Sequence, residues 1–165
     1  MIADTGVRIE PATERDLPLV LKLITDLAEY EKLAHAVIAS EATLRDSLFV
    51  KRAAEVVIAY VDREPAGFAV FFQTFSTFLG VPGMYLEDLF VDPRFRRRGI
   101  GKALLAHLAA LAVERGYGRI EWSVLDWNAL AIGFYRTIGA RPMDEWTVYR
   151  LTGDALRRLA SEGTA

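Results

Sequence analysis

The sequence predicts one α/β (α+β) domain: a mixed sheet flanked by helices. Three observations predict it. Apolar residues recur every three or four positions over 17–28 and again over 103–112, the period of a helix with one buried face. Runs rich in β-branched and aromatic residues occupy 55–61, 66–72 and 84–91, each bounded by turn-forming residues. The two kinds of segment interleave along 165 residues, a length that suits one compact domain.

In chain order, 7–10 reads as a short edge strand stopped by Pro11. Thr13 stands three residues before Asp16, a variant of the capping-box spacing, and opens a helix. Its stripe is Leu17, Val20, Leu21, Ile24, Leu27 and Ala28. Ser40 can cap a shorter helix carrying Leu44 and Leu48. Segments 55–61 and 66–72 form an antiparallel hairpin around Asp62-Arg63-Glu64-Pro65. A loop with Phe75, Phe78 and Leu79 precedes a strand over 84–91, which ends at Asp92-Pro93. A long helix over 99–115 closes at Gly116, a strand follows at 119–125, and Asn128 begins a helix ended by Gly139. A last strand is expected at 147–151 and a terminal helix at 154–161. With no repeat or linker, residues 1–165 read as a single domain, its core over about 7–151 and an extension over 152–165.

Composition narrows the chemistry. Hydrophobic residues make up 52% and charged residues 25%, enough apolar surface for a core. Lys plus Arg number 20 against 22 acids, for a net charge of −2, so no uncompensated basic surface is available for nucleic acid. Cysteine is absent, which removes disulfides, thiolate metal sites and a cysteine acyl-enzyme. The only histidines, His35 and His107, are too far apart in sequence for a local metal motif, so no metal is expected. Met1-Ile2-Ala3-Asp4-Thr5-Gly6 has no leader character, and no run approaches the roughly 20 apolar residues of a membrane span. A cytoplasmic protein with no membrane partner is expected.

The most informative segment is Arg96-Arg97-Arg98-Gly99-Ile100-Gly101-Lys102, between a strand and the long helix. Two glycines one residue apart allow a tight turn that converges backbone N–H groups, and the helix adds its unpaired donors and positive dipole end. With the flanking cations, this suits a pyrophosphate. The segment lacks the four-residue spacer and the Ser/Thr after Lys of a triphosphate P-loop, and it lacks the third glycine of the dinucleotide fingerprint. A basic helix terminus with ordinary turn glycines is the plainer alternative.

Arg96, Gly99 and Gly101, spaced Arg-x-x-Gly-x-Gly after a strand, resemble the acetyl-CoA pyrophosphate loop of the GCN5-related N-acetyltransferases (GNAT). Tyr85-Leu86-Glu87-Asp88-Leu89-Phe90-Val91, then Val124-Leu125-Asp126-Trp127-Asn128 and Phe134-Tyr135, resemble the diamine acetyltransferase branch, the spermidine/spermine N1-acetyltransferases and their thialysine-acetylating relatives. Ile9-Glu10-Pro11-Ala12-Thr13 and Leu27-Ala28-Glu29-Tyr30-Glu31 fit as well. The resemblance implies the GNAT fold, a mostly antiparallel sheet in which the parallel strands at 84–91 and 119–125 splay apart to admit acetyl-CoA. It implies that Leu89, Phe90 and Val91 pair with the pantetheine after a bulge, with the Val91 N–H facing the thioester oxygen. It further implies coenzyme contacts from Arg96, Arg97, Arg98, Gly99, Ile100, Gly101, Lys102, Asn128, Ala129, Leu130, Ala131 and Tyr135. Asn128 can equally be a plain helix N-cap.

An amine attacks a thioester only as the free base, whereas an alkyl ammonium has a pKa of about 10, so a proton acceptor is needed. Strand alternation puts Tyr85, Glu87 and Leu89 on one face, which would set the Glu87 carboxylate among apolar neighbours and make it the candidate base, acting directly or through water. An ion pair with a neighbouring arginine is its structural alternative. Tyr135 stands where the family has its general acid, and a phenol can protonate the departing thiolate. With no nucleophile motif, direct transfer in a ternary complex is expected.

A substrate that keeps a second positive charge calls for carboxylates and aromatics. The resemblance supplies Tyr30 and Glu31, Asp88 beside Glu87, Phe78, a wall of Glu121, Trp122 and Ser123, and Glu145 before the last strand. Asp88 faces the opposite side of its strand unless the bulge re-aims it. The reading is therefore an acetyl-CoA-dependent N-acetyltransferase of a small diamine, polyamine or lysine-like amine. A non-catalytic acyl-CoA-binding module and an acetyltransferase for protein amines stay open beside it. The resemblance also implies a homodimer, with the last strand near the partner.

Overall fold

Hydrogen bonds at the chain's first turns follow the capping residues. The Thr13 N–H donates to Asp16 Oδ2 at 2.7 Å, and a short 3₁₀ turn, Glu14–Asp16, leads into α1, Leu17–Tyr30. Ser40 Oγ accepts from Thr43 N–H at 3.2 Å and starts α2, Glu41–Arg45, which widens into a π turn over Asp46–Val50. The computed structural model describes residues 6–163 and divides into two compact units between Ser123 and Val124. The N-terminal stretch, for which the sequence predicts no leader, falls through residue 5 outside the described residues.

The first unit holds a five-stranded sheet of β1 Val7–Pro11, β2 Glu55–Val61, β3 Glu64–Ser76, β4 Val81–Val91 and β5 Ile120–Trp122. Its strand order is the sequence order; the first four neighbours are antiparallel, and β4 and β5 are parallel. The mixed sheet expected from the sequence is thus present. The β2–β3 turn is tighter than expected, because Asp62 and Arg63 both take positive φ, +48° and +69°, the geometry of a two-residue hairpin turn. The following loop is also shorter: β3 and β4 stay paired out to Ser76 and Val81.

α1 lays Val20, Leu23 and Leu27 on Val56, Ile58, Phe68, Val70 and Phe90, forming one side of the core. α3, Ile100–Glu114, covers the other face with Ile100, Leu104 and Leu108 fully buried. A bidentate pair from Arg115 to Glu55, at 2.6 and 2.8 Å, ties the end of α3 to β2 and holds the Glu55 carboxyl below its ordinary range. Gly67, opposite Val91, permits a close approach of β3 and β4: a Cβ there would lie 2.5 Å from the Phe90 carbonyl oxygen.

In the second unit, Asn128 Oδ1 accepts from Ala131 N–H at 3.2 Å and caps α4, Ala129–Thr137; α5 spans Gly153–Glu162. The strand expected over 147–151 is not formed. A strand exists by pairing, and among the described residues nothing pairs with this segment, whose Val148 and Tyr149 are 83% and 91% exposed. The strand expected over 119–125 is likewise cut to Ile120–Trp122, where its pairing with β4 stops. No helix among the described residues is long and apolar enough to cross a membrane.

Candidate active site

One extra residue in β4 organises the first unit's site. Val70 pairs with Asp88 but Phe71 pairs with Leu86, so Glu87 is a bulge with no cross-strand partner. The bulge resets the alternation of side chains. Tyr85, Asp88 and Phe90 oppose Phe72, Val70 and Phe68 and so share the face covered by α1. Leu89 and Val91 turn toward α3, where their side chains are the nearest atoms to the position of a Gly101 Cβ. The expected grouping of Tyr85, Glu87 and Leu89 on one face is therefore corrected. Glu87 is exposed rather than set among apolar neighbours, and Asp88 is the carboxylate carried inward. Burial, and then the charges of Glu87 and Glu31, push the Asp88 carboxyl up to about 6. Burial also raises Glu31, at the C-terminal end of α1.

On its other edge β4 loses its neighbour where the bulge begins. Pairing with β5 runs Met84↔Ile120, Tyr85↔Glu121 and Leu86↔Trp122 and then ends, although β4 continues to Val91. The backbone of 87–91 is left without a β5 partner, an opening into which an extended ligand can add as a strand. At the mouth of this opening Tyr85 OH and Ser123 Oγ are 2.8 Å apart, and Glu121 is paired with Arg119 at 2.9 Å.

Below the opening, Asp92 turns the chain by accepting from Arg94 N–H at 2.8 Å, and Phe95 anchors the loop in the core. Arg96 is taken up by the protein itself. Its Nε donates to the Val91 carbonyl at 3.3 Å, and its guanidinium lies 4.5 Å from the Tyr30 ring centroid, joining the loop to the end of α1. Arg97, Arg98 and Lys102 are exposed. Gly99 has φ +76° and caps α3 without a side-chain bond. The helix's first internal bond runs from Ala103 N–H to Gly99 O, so the N–H groups of Ile100, Gly101 and Lys102 have no acceptor within the helix. At Gly101 a Cβ would make only ordinary contacts, 3.8 Å to Val91 and 4.0 Å to Leu89. The protein's own packing does not demand glycine there, whereas a ligand seated against the backbone would.

An open cleft of about 330 Å³ lies between α1 and β4, lined by Asp26, Glu29, Tyr30, Phe90 and Pro93. Sequence reasoning missed Asp26 and Glu29. The available signal was spacing from Asp26, with Glu29 three and Tyr30 four residues on, which places the three on one helix face. Phe78 is not brought to these residues. It is 98% exposed in the hairpin turn before Val81, and six residue steps along the strand, about 20 Å, separate Val81 from the bulge.

In the second unit, α4 carries Ala129, Leu130 and Ala131 in its first turn and Tyr135 in its last, with the Phe134 and Tyr135 rings 5.8 Å apart. Glu145 is exposed in an irregular stretch before Trp146.

The comparisons with known proteins agree with this geometry. Residues 20–140 match the family described as Acetyltransferase (GNAT) family. An L-ornithine N5-acetyltransferase from Arabidopsis thaliana is 35% identical, over 92% of this chain and 87% of its own. A thialysine N-epsilon-acetyltransferase from Caenorhabditis elegans is 36% identical, over 87% of this chain and 90% of its own. Among solved structures, an integron cassette protein from the mobile metagenome of V. cholerae superposes with a TM-score of 0.79 at 29% identity, covering 94% of this chain and 98% of that one. The likeness to the diamine acetyltransferase branch read from the sequence is borne out by these relatives.

Proposed function

Because this chain belongs to the acetyltransferase (GNAT) family and is thereby an acyltransferase, we propose that it moves an acetyl group from acetyl-CoA directly to a primary amine of a small diamine, polyamine or lysine-like substrate. The observation that carries this reading is the opening of β4 from β5 beyond Leu86, directly above the uncapped N-terminus of α3. Such an arrangement offers a strand edge to a pantetheine arm and backbone donors to a diphosphate.

In this reading the N–H groups around Gly99 to Lys102 hold the diphosphate, and the exposed Arg97, Arg98 and Lys102 add charge. Asn128 and the first turn of α4, Ala129 to Ala131, complete the coenzyme contacts, and the Val91 N–H faces the thioester oxygen as charge grows on it. Tyr30, Glu31, Asp88 and the acidic lip of the α1 cleft favour a substrate that bears a second cation. Glu121, Trp122 and Ser123 form the opposite wall, and Glu145 and Phe78 are the outlying candidates. The ammonium's proton leaves by the Glu87–Asp88 pair, where exposed Glu87 meets water as the base, and Tyr135 returns a proton to the thiolate. Transfer is direct, since the chain has no cysteine to form an acyl-enzyme.

A thiol-release assay with acetyl-CoA and a panel of ornithine, thialysine, putrescine, spermidine, spermine and lysine-bearing peptides tests the proposal. Turnover with at least one small diamine or diamino acid is expected. Binding of coenzyme without turnover on any amine points instead to a non-catalytic acyl-CoA module, and turnover on peptides alone to a protein acetyltransferase.

We also propose a cytoplasmic homodimer. Its support is the unpaired 147–151 segment, with Val148 and Tyr149 exposed, which offers a strand to a second copy. Sedimentation at the dimer mass is expected, and a fully active monomer contradicts it.

A further inference from the structure

We propose that the hydroxyl pair Tyr85–Ser123 sets the size of the acyl group this chain transfers, closing the opening, at the point where β4 and β5 part, to anything longer than acetyl. The inference rests on the acetyl-transfer reading above and adds to it the residues that bound the acyl group.

The first observation is the direction of the open edge. The Asp92 N–H donates to the Ala66 carbonyl at 2.9 Å, which makes Gly67 and Val91 a non-hydrogen-bonded pair. The N–H and C=O of Val91 therefore point away from β3, toward the side that β5 has left, and alternation gives Leu89, opposite Ala69, the same direction. Arg96 already takes the Val91 carbonyl from that side at 3.3 Å. The Val91 N–H and both backbone polar groups of Leu89 are thus aimed at an added strand.

The second is length. The start of α3 lies against Val91 and Leu89, whose methyl groups are the atoms nearest to a Gly101 Cβ. A diphosphate held there starts its thiol arm at the level of Val91. An extended arm with two amides is about as long as four residues of strand, roughly 14 Å. Four residues back from Val91 is Glu87, so the sulfur arrives where the strands part. The acyl group is then directed toward Leu86 and Trp122, the last paired position.

The third is what stands at that point. Tyr85 OH and Ser123 Oγ, 2.8 Å apart, bridge β4 and β5 with side chains one residue before and one residue after the last backbone pair. The Tyr85 ring is held by Phe72, its partner on β3, with centroids 5.3 Å apart, whereas Ser123 is exposed. The bridge is fixed at one end and reachable from the opening at the other. A longer acyl chain must part the two hydroxyls, leaving the half-buried Tyr85 oxygen without its partner, or stop short and carry the thioester out of register.

The transfer itself needs nothing from the pair. The N–C bond of the amide forms as the C–S bond of the thioester breaks; the nitrogen gives up a proton and the departing sulfur gains one. Tyr85 and Ser123 bound only the space beyond the carbonyl carbon.

The test compares acetyl-, propionyl- and butyryl-CoA with one amine of the panel in the wild type, Tyr85→Phe, Ser123→Gly and Ser123→Thr, with thermal melts alongside. The readout is the ratio of kcat/KM between acyl groups, which a general loss of activity does not move. The wild type should favour acetyl over butyryl by about 100-fold or more, the scale on which one or two methylenes are discriminated. Tyr85→Phe and Ser123→Gly should each cut that ratio by at least about tenfold, and Ser123→Thr, which keeps the hydroxyl, should hold it. A wild type that uses butyryl-CoA as well as acetyl-CoA overturns the inference. So does an unchanged ratio in either Tyr85→Phe or Ser123→Gly, even with a lower melting temperature, because a bond that only ties β5 to β4 gives that result. Calorimetry reads the same barrier without turnover. Butyryl-CoA should bind the wild type at least about tenfold more weakly than acetyl-CoA, and Ser123→Gly should bring the two together; equal binding to the wild type overturns the inference. Failure of every acyl-CoA to react with any amine would defeat the acetyl-transfer reading instead, and this binding comparison tells the two failures apart.

Discussion

Replacing Tyr135 by phenylalanine should lower kcat by about 10²-fold or more while coenzyme affinity stays within about twofold. Tyr135 sits in the last turn of α4 against Phe134, so the substitution removes one oxygen and leaves the ring packing in place. The oxygen matters to the leaving group. In the tetrahedral intermediate an unprotonated thiolate competes with the attacking amine for departure, and loss of the amine returns the reactants. A phenol that donates as the C–S bond breaks removes that return path. If Tyr135 were only a packing residue, Tyr135→Phe would retain the wild-type kcat and its pH profile. That outcome would remove the acid from the proposed mechanism without touching the family assignment.

Gly67→Ala should be among the most damaging small substitutions in the chain. A Cβ on Gly67 would meet the Phe90 carbonyl oxygen at 2.5 Å and the Val91 Cα at 3.3 Å, both backbone atoms that cannot rotate aside. The strands must separate, costing about 2–3 kcal/mol, on the scale of overpacked cores. For a chain of this size that corresponds to a fall in Tm of roughly 4–12 °C. The effect reaches the site as well, because Phe90 and Val91 lie in the β4 segment proposed to bind pantetheine. Thermal melts should show the loss, and coenzyme affinity should fall with it. A variant that melts within a degree or two of the wild type would contradict a backbone clash at Gly67.

Features fixed by neighbours in sequence were legible in advance. Thr13 with Asp16, Ser40 with Thr43, Asn128 with Ala131 and the left-handed Gly99 each act within a few residues, and each is found at its expected helix start. Features that depend on a partner strand were not. Alternation alone places Glu87 inward and Asp88 outward; the register against β3 reverses this, and no signal within 84–91 marks which residue bulges. The same dependence explains the ends of the sheet. Pairing of Gln73–Ser76 with Val81–Met84 extends a hairpin that turn composition alone cuts short, whereas 147–151 has strand-like residues but no partner among the described residues. Residues whose roles are proposed from the family pattern, Tyr135 and Tyr30 among them, owe little to periodicity, since aromatics on helices are ordinarily core.

In the proposed function, backbone N–H groups at the start of α3 grip the diphosphate of the coenzyme. Titration calorimetry of the whole chain against coenzyme A and against pantetheine, which has the same thiol arm without the diphosphate, tests it most directly, with Gly101→Ala as the control on the loop. Measurable binding of coenzyme A is expected, with a loss of at least about tenfold for pantetheine and for coenzyme A with Gly101→Ala, and no drop in the melting temperature of that variant. Equal affinities for the two ligands, or no heat from coenzyme A at all, would contradict it.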